Sequence, residues 1–170
     1  ADGELAVPRY AVDELPGKGV WLGPEDAPVK VIAFVDSRCP QCHRLIGYAR
    51  KLVAEGKLRI QLRQVAYLEE PEQAVRDTRL PETMLIQGNE APVDTVDYLD
   101  MLAVFNNEEP LDKGTEPYDQ ALTLIRTNTD TAREKLHIDN VPGVLVYDAD
   151  HQAYRVTGYW EMNRLMQPDL

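Results

Sequence analysis

Apolar positions along the chain fall into short runs and periodic stripes. Residues 30–36 contain Val31-Ile32-Ala33-Phe34-Val35, an apolar run opened by Val29. Such a run is typical of a strand buried on both faces of an α/β sheet. From residue 40 the period changes. Leu45, Ile46, Ala49, Leu52 and Val53 share one face of a helix over 40–55, and Gly56 supplies its stop. Residues 58–65, Leu-Arg-Ile-Gln-Leu-Arg-Gln-Val, then alternate with period two and predict the next strand. Strand, helix, strand makes a βαβ unit, for which a right-handed crossover is expected.

Further on, Val96, Leu99, Leu102 and Ala103 form a stripe opposite Asp94, Asp97 and Asp100. That pattern predicts an amphipathic helix from about 93 to 106, with its acids near the favourable N-terminal end. Pro117 suits the first turn of a helix carrying Ala121, Leu122 and Ile125. Asn128 or Thr129 is expected to cap another short helix running through Leu136. Strands return at 143–147 and 153–156, joined by a turn at 148–151, and residues 161–166 predict a terminal helix. Residues 1–20 carry Pro8, Pro16, Gly17 and Gly19 without a clear period and read as an arm or linker. Trp21 to Pro28 reads as a loop entering the first core strand. The whole predicts an α/β domain over 21–170 with an acidic helical insertion at about 69–130.

Charge sharpens this organisation. The net charge is −11, and residues 69–119 hold 14 acids against 3 bases. The remainder is balanced, so the insertion carries the whole surplus. Two readings stand: a solvated helical surface that aids solubility, or an electrostatic filter for basic clients and partners. Nothing in the chain could neutralise phosphates as a basic groove does, so no nucleic-acid partner is expected. No apolar run approaches the roughly 18 residues that cross a bilayer, so no membrane insertion is expected. The start at Ala1 fits a mature exported protein and a trimmed chain equally well.

The chemistry concentrates in Cys39-Pro40-Gln41-Cys42, which contains both cysteines and stands at the first strand-to-helix junction. At a helix start, unpaired N–H groups and the helix dipole stabilise a thiolate, which makes Cys39 the candidate nucleophile. Cys42, one turn on, is placed to resolve a mixed disulfide. Pro40 fits the first helical turn, where no N–H is missed. Gln41 is expected to be exposed to clients. His43 would favour the Cys39 thiolate if protonated, or would simply face solvent. A zinc or copper site on Cys39, Cys42 and His43 remains open, although tetrahedral zinc wants about four ligands and no second cysteine pair exists. So does a structural disulfide, although closing so short a loop stabilises little. A third reading is a scaffold whose acidic insertion docks a basic partner. No cofactor and no metal are expected.

Three stretches carry a family resemblance: Asp26-Ala27-Pro28-Val29, the block from Phe34-Val35-Asp36-Ser37-Arg38 through the dithiol to His43, and Leu136-His137-Ile138-Asp139-Asn140-Val141-Pro142-Gly143. Together they resemble the thioredoxin superfamily, and more closely the catalytic domains of the periplasmic disulfide isomerases DsbC and DsbG. The resemblance implies a thioredoxin fold with a helical insertion after the second core strand. It implies a periplasmic thiol–disulfide oxidoreductase of isomerase or reductase type, acting on client proteins with cysteines or disulfides and served by a membrane partner of the DsbD type. Thioredoxins and DsbA bury a carboxylate six residues before the first cysteine; here that position is Ala33, while Asp36 lies three residues before Cys39, as in DsbC and DsbG. Asp36 is either a carboxylate near the dithiol or a strand-end cap. The resemblance also implies a cis bond before Pro142, which would leave the Val141 backbone free to pair with a client strand. Val141 stands where those isomerases usually carry threonine, and Pro-Gln places no charge between the cysteines; both bear on redox poise. Those isomerases dimerise through a separate N-terminal domain. With about 20 residues ahead of Trp21, this chain is expected to be a monomer or weak dimer.

Overall fold

The computed structural model describes residues 7–76 and 112–166. The acidic helix expected at 93–106 lies outside them. The described chain forms five strands in one sheet, β1 (Val20–Leu22), β2 (Val29–Val35), β3 (Leu58–Gln64), β4 (Gly143–Asp148) and β5 (Ala153–Val156). Helices α1 (Pro40–Ala54), α2 (Pro71–Arg76), α3 (Glu116–Asp130) and α4 (Tyr159–Met166) complete it. The sheet order is β1-β3-β2-β4-β5. Only β2 and β3 run parallel, as a βαβ unit requires, and the other pairs are antiparallel. Both described helices between β3 and β4 lie in the expected insertion, so the fold is the α/β arrangement the pattern implied.

Burial explains the central strands. Val31 through Val35 are all at most 1 % exposed, as the unbroken apolar run required. The helix α1 buries Leu45, Ile46, Ala49, Leu52 and Val53, and packs on β3 and α4. It ends at Gly56, whose φ of +74 suits a residue without Cβ.

Three expectations are corrected. The stretch from Trp21 is not all loop, because Trp21 and Leu22 lie in β1 and pair with Gln61 and Ile60. Residues 10–18 are a strap rather than a loose arm. Tyr10 exchanges both backbone bonds with Tyr154 on β5, at 2.8 and 2.7 Å. From there the strap crosses the sheet to β1 at the opposite edge. The strap also explains β3, whose polar alternation does not face water: Gln61 and Arg63 are 5 % and 2 % exposed. The Arg63 guanidinium donates to the carbonyls of Leu15 and Pro16 at 3.0 and 3.1 Å and to Gln61 Oε1 at 2.9 Å. Burial lowers its pKa to about 10.

Asn128 and Thr129, finally, cap no new helix. The α3 helix runs through them into a wide π turn over Thr131–Lys135. Both side chains are spent sideways. Thr129 Oγ1 donates to the Ile125 carbonyl at 2.6 Å and accepts the Ala66 N–H at 3.0 Å. Asn128 accepts the Lys18 N–H at 3.1 Å and donates to the carbonyls of Lys18 and Gln64 at 3.0 and 3.1 Å. Tertiary partners have taken the hydrogen-bonding capacity that would otherwise favour a cap.

Candidate active site

The sheet order brings three segments to one end: the exit of β2, the exit of parallel β3 and the entry of antiparallel β4. The residues singled out from sequence gather there. Cys39 is the N-cap of α1, with φ −95° and ψ 113°, and its Sγ accepts the Cys42 N–H at 3.2 Å. It thus satisfies one of the orphan donors of a helix start with a thiol instead of a hydroxyl. Pro40 opens the helix at a position that needs no N–H. Pro40 and Gln41 are exposed on the first turn. Cys39 keeps 4 % exposure and Cys42 none, and both are free thiols.

Across the site, the Cys39 thiol donates to the Val141 carbonyl at 3.5 Å. The Val141–Pro142 bond is cis. Val141 is held in place from behind. Gly143 opens β4, and a Cβ there would lie 2.6 Å from Ile138 Cγ2, so only glycine lets the preceding loop pack this closely. The Tyr67 hydroxyl donates to the Ile138 carbonyl at 2.7 Å. The Arg133 guanidinium lies 4.3 Å from the Tyr67 ring centroid. Burial pushes the Tyr67 hydroxyl pKa up to about 12.

Asp36 joins the two sides. It is 2 % exposed. Its Oδ1 accepts the Arg38 N–H at 2.8 Å, and its Oδ2 accepts the N–H groups of Tyr67 and Leu68 at 2.7 and 3.0 Å. Its backbone carbonyl receives the Cys39 N–H at 3.1 Å, and its own N–H donates to Cys42 Sγ at 3.4 Å. Asp36 directly follows β2; its backbone makes the bonds to Cys39 and Cys42, while its carboxylate is taken up by the N–H groups of Arg38, Tyr67 and Leu68. Desolvation by burial raises the Cys42 pKa most, and the bond to Cys39 and the Asp36 charge act in the same direction. The Asp36 N–H opposes them without reversing the result.

His43 follows Cys42 on the first turn of α1, where its backbone N–H donates to the Cys39 carbonyl at 3.2 Å. It is exposed, and its Nε2–H donates to the Ser37 carbonyl at 2.7 Å. That bond ties the first turn of α1 to the loop before it. Among the described residues, no three His, Cys, Asp or Glu side chains converge as metal ligands would. Asp36, Cys39, Cys42 and Val141 are thus linked by direct hydrogen bonds, Pro142 follows half-buried, and Pro40, Gln41 and His43 lie on the outer turn. Sequence reasoning missed Tyr67, Leu68 and Ile138. The one available signal was position: Tyr67 follows β3 by three residues, where a parallel partner returns the chain to the end at which α/β sites form.

Three comparisons bear on this geometry. A family model described as thioredoxin matches residues 16–160. A search of curated proteins finds no match. Among solved structures, BdbD from Bacillus subtilis aligns at TM-score 0.56 and 14% identity, over 97% of this chain and 100% of that one. Pseudomonas aeruginosa DsbA2 aligns at 0.56 and 18%, over 92% and 98%. The thiol–disulfide exchange protein alpha-DsbA2 from Wolbachia pipientis aligns at 0.53 and 13%, over 88% and 86%. At these identities the likeness is one of fold.

Proposed function

The chain belongs to the thioredoxin family, and we propose that it is a periplasmic thiol–disulfide oxidoreductase of the reductase or isomerase type. Its substrates are client proteins carrying cysteines or disulfides. The observation that carries this reading is the pair of free thiols at the start of α1, one capping the helix and facing the Val141 carbonyl, the other sealed beneath it. In the reductive direction, the Cys39 thiolate attacks a client disulfide. A Cys39–client S–S bond forms, the client S–S bond breaks, and one client sulfur leaves as thiolate. Cys42 then loses its proton and attacks Cys39 Sγ. The mixed disulfide breaks, the second client sulfur leaves, and two electrons have passed from the dithiol to the client.

Val141 and Pro142 are proposed as the client-binding edge, with Pro40 and Gln41 beside the reacting sulfur. The isomerase-type reading rests on Ala33, fully buried where both thioredoxins and DsbA would carry a carboxylate, and on Asp36, placed as in DsbC and DsbG. A membrane donor of the DsbD type would return the electrons. The protein is proposed to be a monomer or weak dimer. Among the described residues its exposed large apolar side chains, Val7, Tyr48, Leu68 and Val156, are scattered along the sequence. The test is Cys42→Ser exposed to a disulfide-bonded client. Loss of the resolving thiol should leave client covalently bound to Cys39, visible by mass and released by reductant. Turnover that survives Cys39→Ser would end this reading.

A further inference from the structure

Leu68 is the most exposed large apolar side chain among the described residues, at 58 %. Exposure of one leucine is ordinary by itself. Its attachment is not, because its N–H is held by the buried Asp36 carboxylate at 3.0 Å, beside that of Tyr67 at 2.7 Å. The same Asp36 receives the Cys39 N–H on its backbone carbonyl. Leu68 and the candidate nucleophile therefore hang from one residue, and the leucine is presented on fixed backbone rather than left on a loose loop.

The surroundings give it a purpose. β2 lies between β3 and β4, so the dithiol sits between the segment after β3, which carries Leu68, and the segment before β4, which carries Val141 and Pro142. Tyr67 ties these two walls together through the Ile138 carbonyl. Beyond Leu68 opens a cleft of about 640 Å³, lined by Tyr67 and Pro71 and by the charged Glu70, Glu72, Asp130 and Arg133, so that Leu68 is an apolar contact at the mouth of a largely polar cleft. The first-turn residues facing clients, Pro40 and Gln41, carry no charge. An extended client chain lying along Val141 would thus meet an apolar contact on the far wall.

Resting on the oxidoreductase reading, we propose that Leu68 is a specificity-determining residue that favours clients bearing an apolar side chain next to the reacting cysteine. The client side chain covers Leu68 at the mouth of the cleft, and both lose contact with water. Nothing in the exchange chemistry changes; the contact acts on association and on holding the mixed disulfide in register.

The experiment uses two synthetic peptide disulfides that differ only in leucine or serine beside the reacting cysteine. Second-order rate constants for reaction with the reduced protein give a discrimination ratio. Leu68→Ser should lower that ratio roughly tenfold, about 1.4 kcal/mol, and Leu68→Met should retain it. A ratio within twofold of the unaltered protein's in Leu68→Ser overturns the proposal, as does equal slowing of both peptides, which marks a merely structural role. If neither peptide reacts with the unaltered protein, the oxidoreductase reading itself fails, and this inference with it.

Discussion

At the residue scale, the two thiols differ more in surroundings than in depth. Cys39 receives an N–H at a helix start, whereas Cys42 is fully buried beside the Asp36 carboxylate, which shifts it toward the protonated form. This has a consequence for stability. The ordinary value for Cys42 is 9.0, and its folded value is higher. Its contribution is therefore fully present below pH 9 and is lost as pH rises above it, because the unfolded chain ionises first. The reduced protein should lose about 1 kcal/mol relative to Cys42→Ala on going from pH 9 to 10. Urea unfolding of both across pH 8–10 measures this, and parallel pH profiles would refute the assignment. The pair itself was legible in sequence because the thiols sit three residues apart at a pattern change. Asp36 was legible as a position, and its two roles were not, since the groups that fill its carboxylate come from residues 67 and 68 across a βαβ crossover.

At the element scale, apolar period located the central strands and α1 closely, because burial on a sheet or under a helix writes itself into spacing. It failed where polar residues were buried. Arg63 and Gln61 look solvent-facing in the alternation of β3, yet the strap covers them. Asn128 and Thr129 look like cap residues, yet they are cross-links. Asn128 is fully buried and joins the strap at Lys18 to the end of β3 at Gln64, with three hydrogen bonds from one amide. Asn128→Ala leaves those groups without that partner and should destabilise the fold by about 2 kcal/mol. Cleavage of the strap near Lys18 by trypsin should accelerate in parallel. A loss under about 0.5 kcal/mol would mean that water replaces the amide without penalty and that the strap is fastened elsewhere, for instance by Thr131, whose hydroxyl donates to the Pro16 carbonyl at 2.7 Å.

At the scale of the whole molecule, the balance of charge is the feature the fold does not explain. The chain carries −11, and by sequence the surplus belongs to residues 69–119 while the rest is neutral. That stretch follows directly on the Tyr67–Leu68 segment that leans on Asp36, so its first acids stand close to the proposed client wall. Glu69 pairs with Arg38, the residue before Cys39, at 3.4 Å. Glu70 and Glu72 line the cleft beyond Leu68. A field of this sign should steer cationic clients toward the dithiol and slow anionic ones, an effect on encounter rather than on the exchange step. Cationic and anionic versions of one peptide disulfide should therefore differ in association rate by roughly tenfold at low ionic strength. The difference should collapse near 1 M salt, where the screening length falls to about 3 Å. Equal rates at low salt would leave the acidic segment as a solvated surface that serves solubility alone. A difference that survives high salt would place the discrimination in direct contacts such as those at Leu68 instead of in the long-range field.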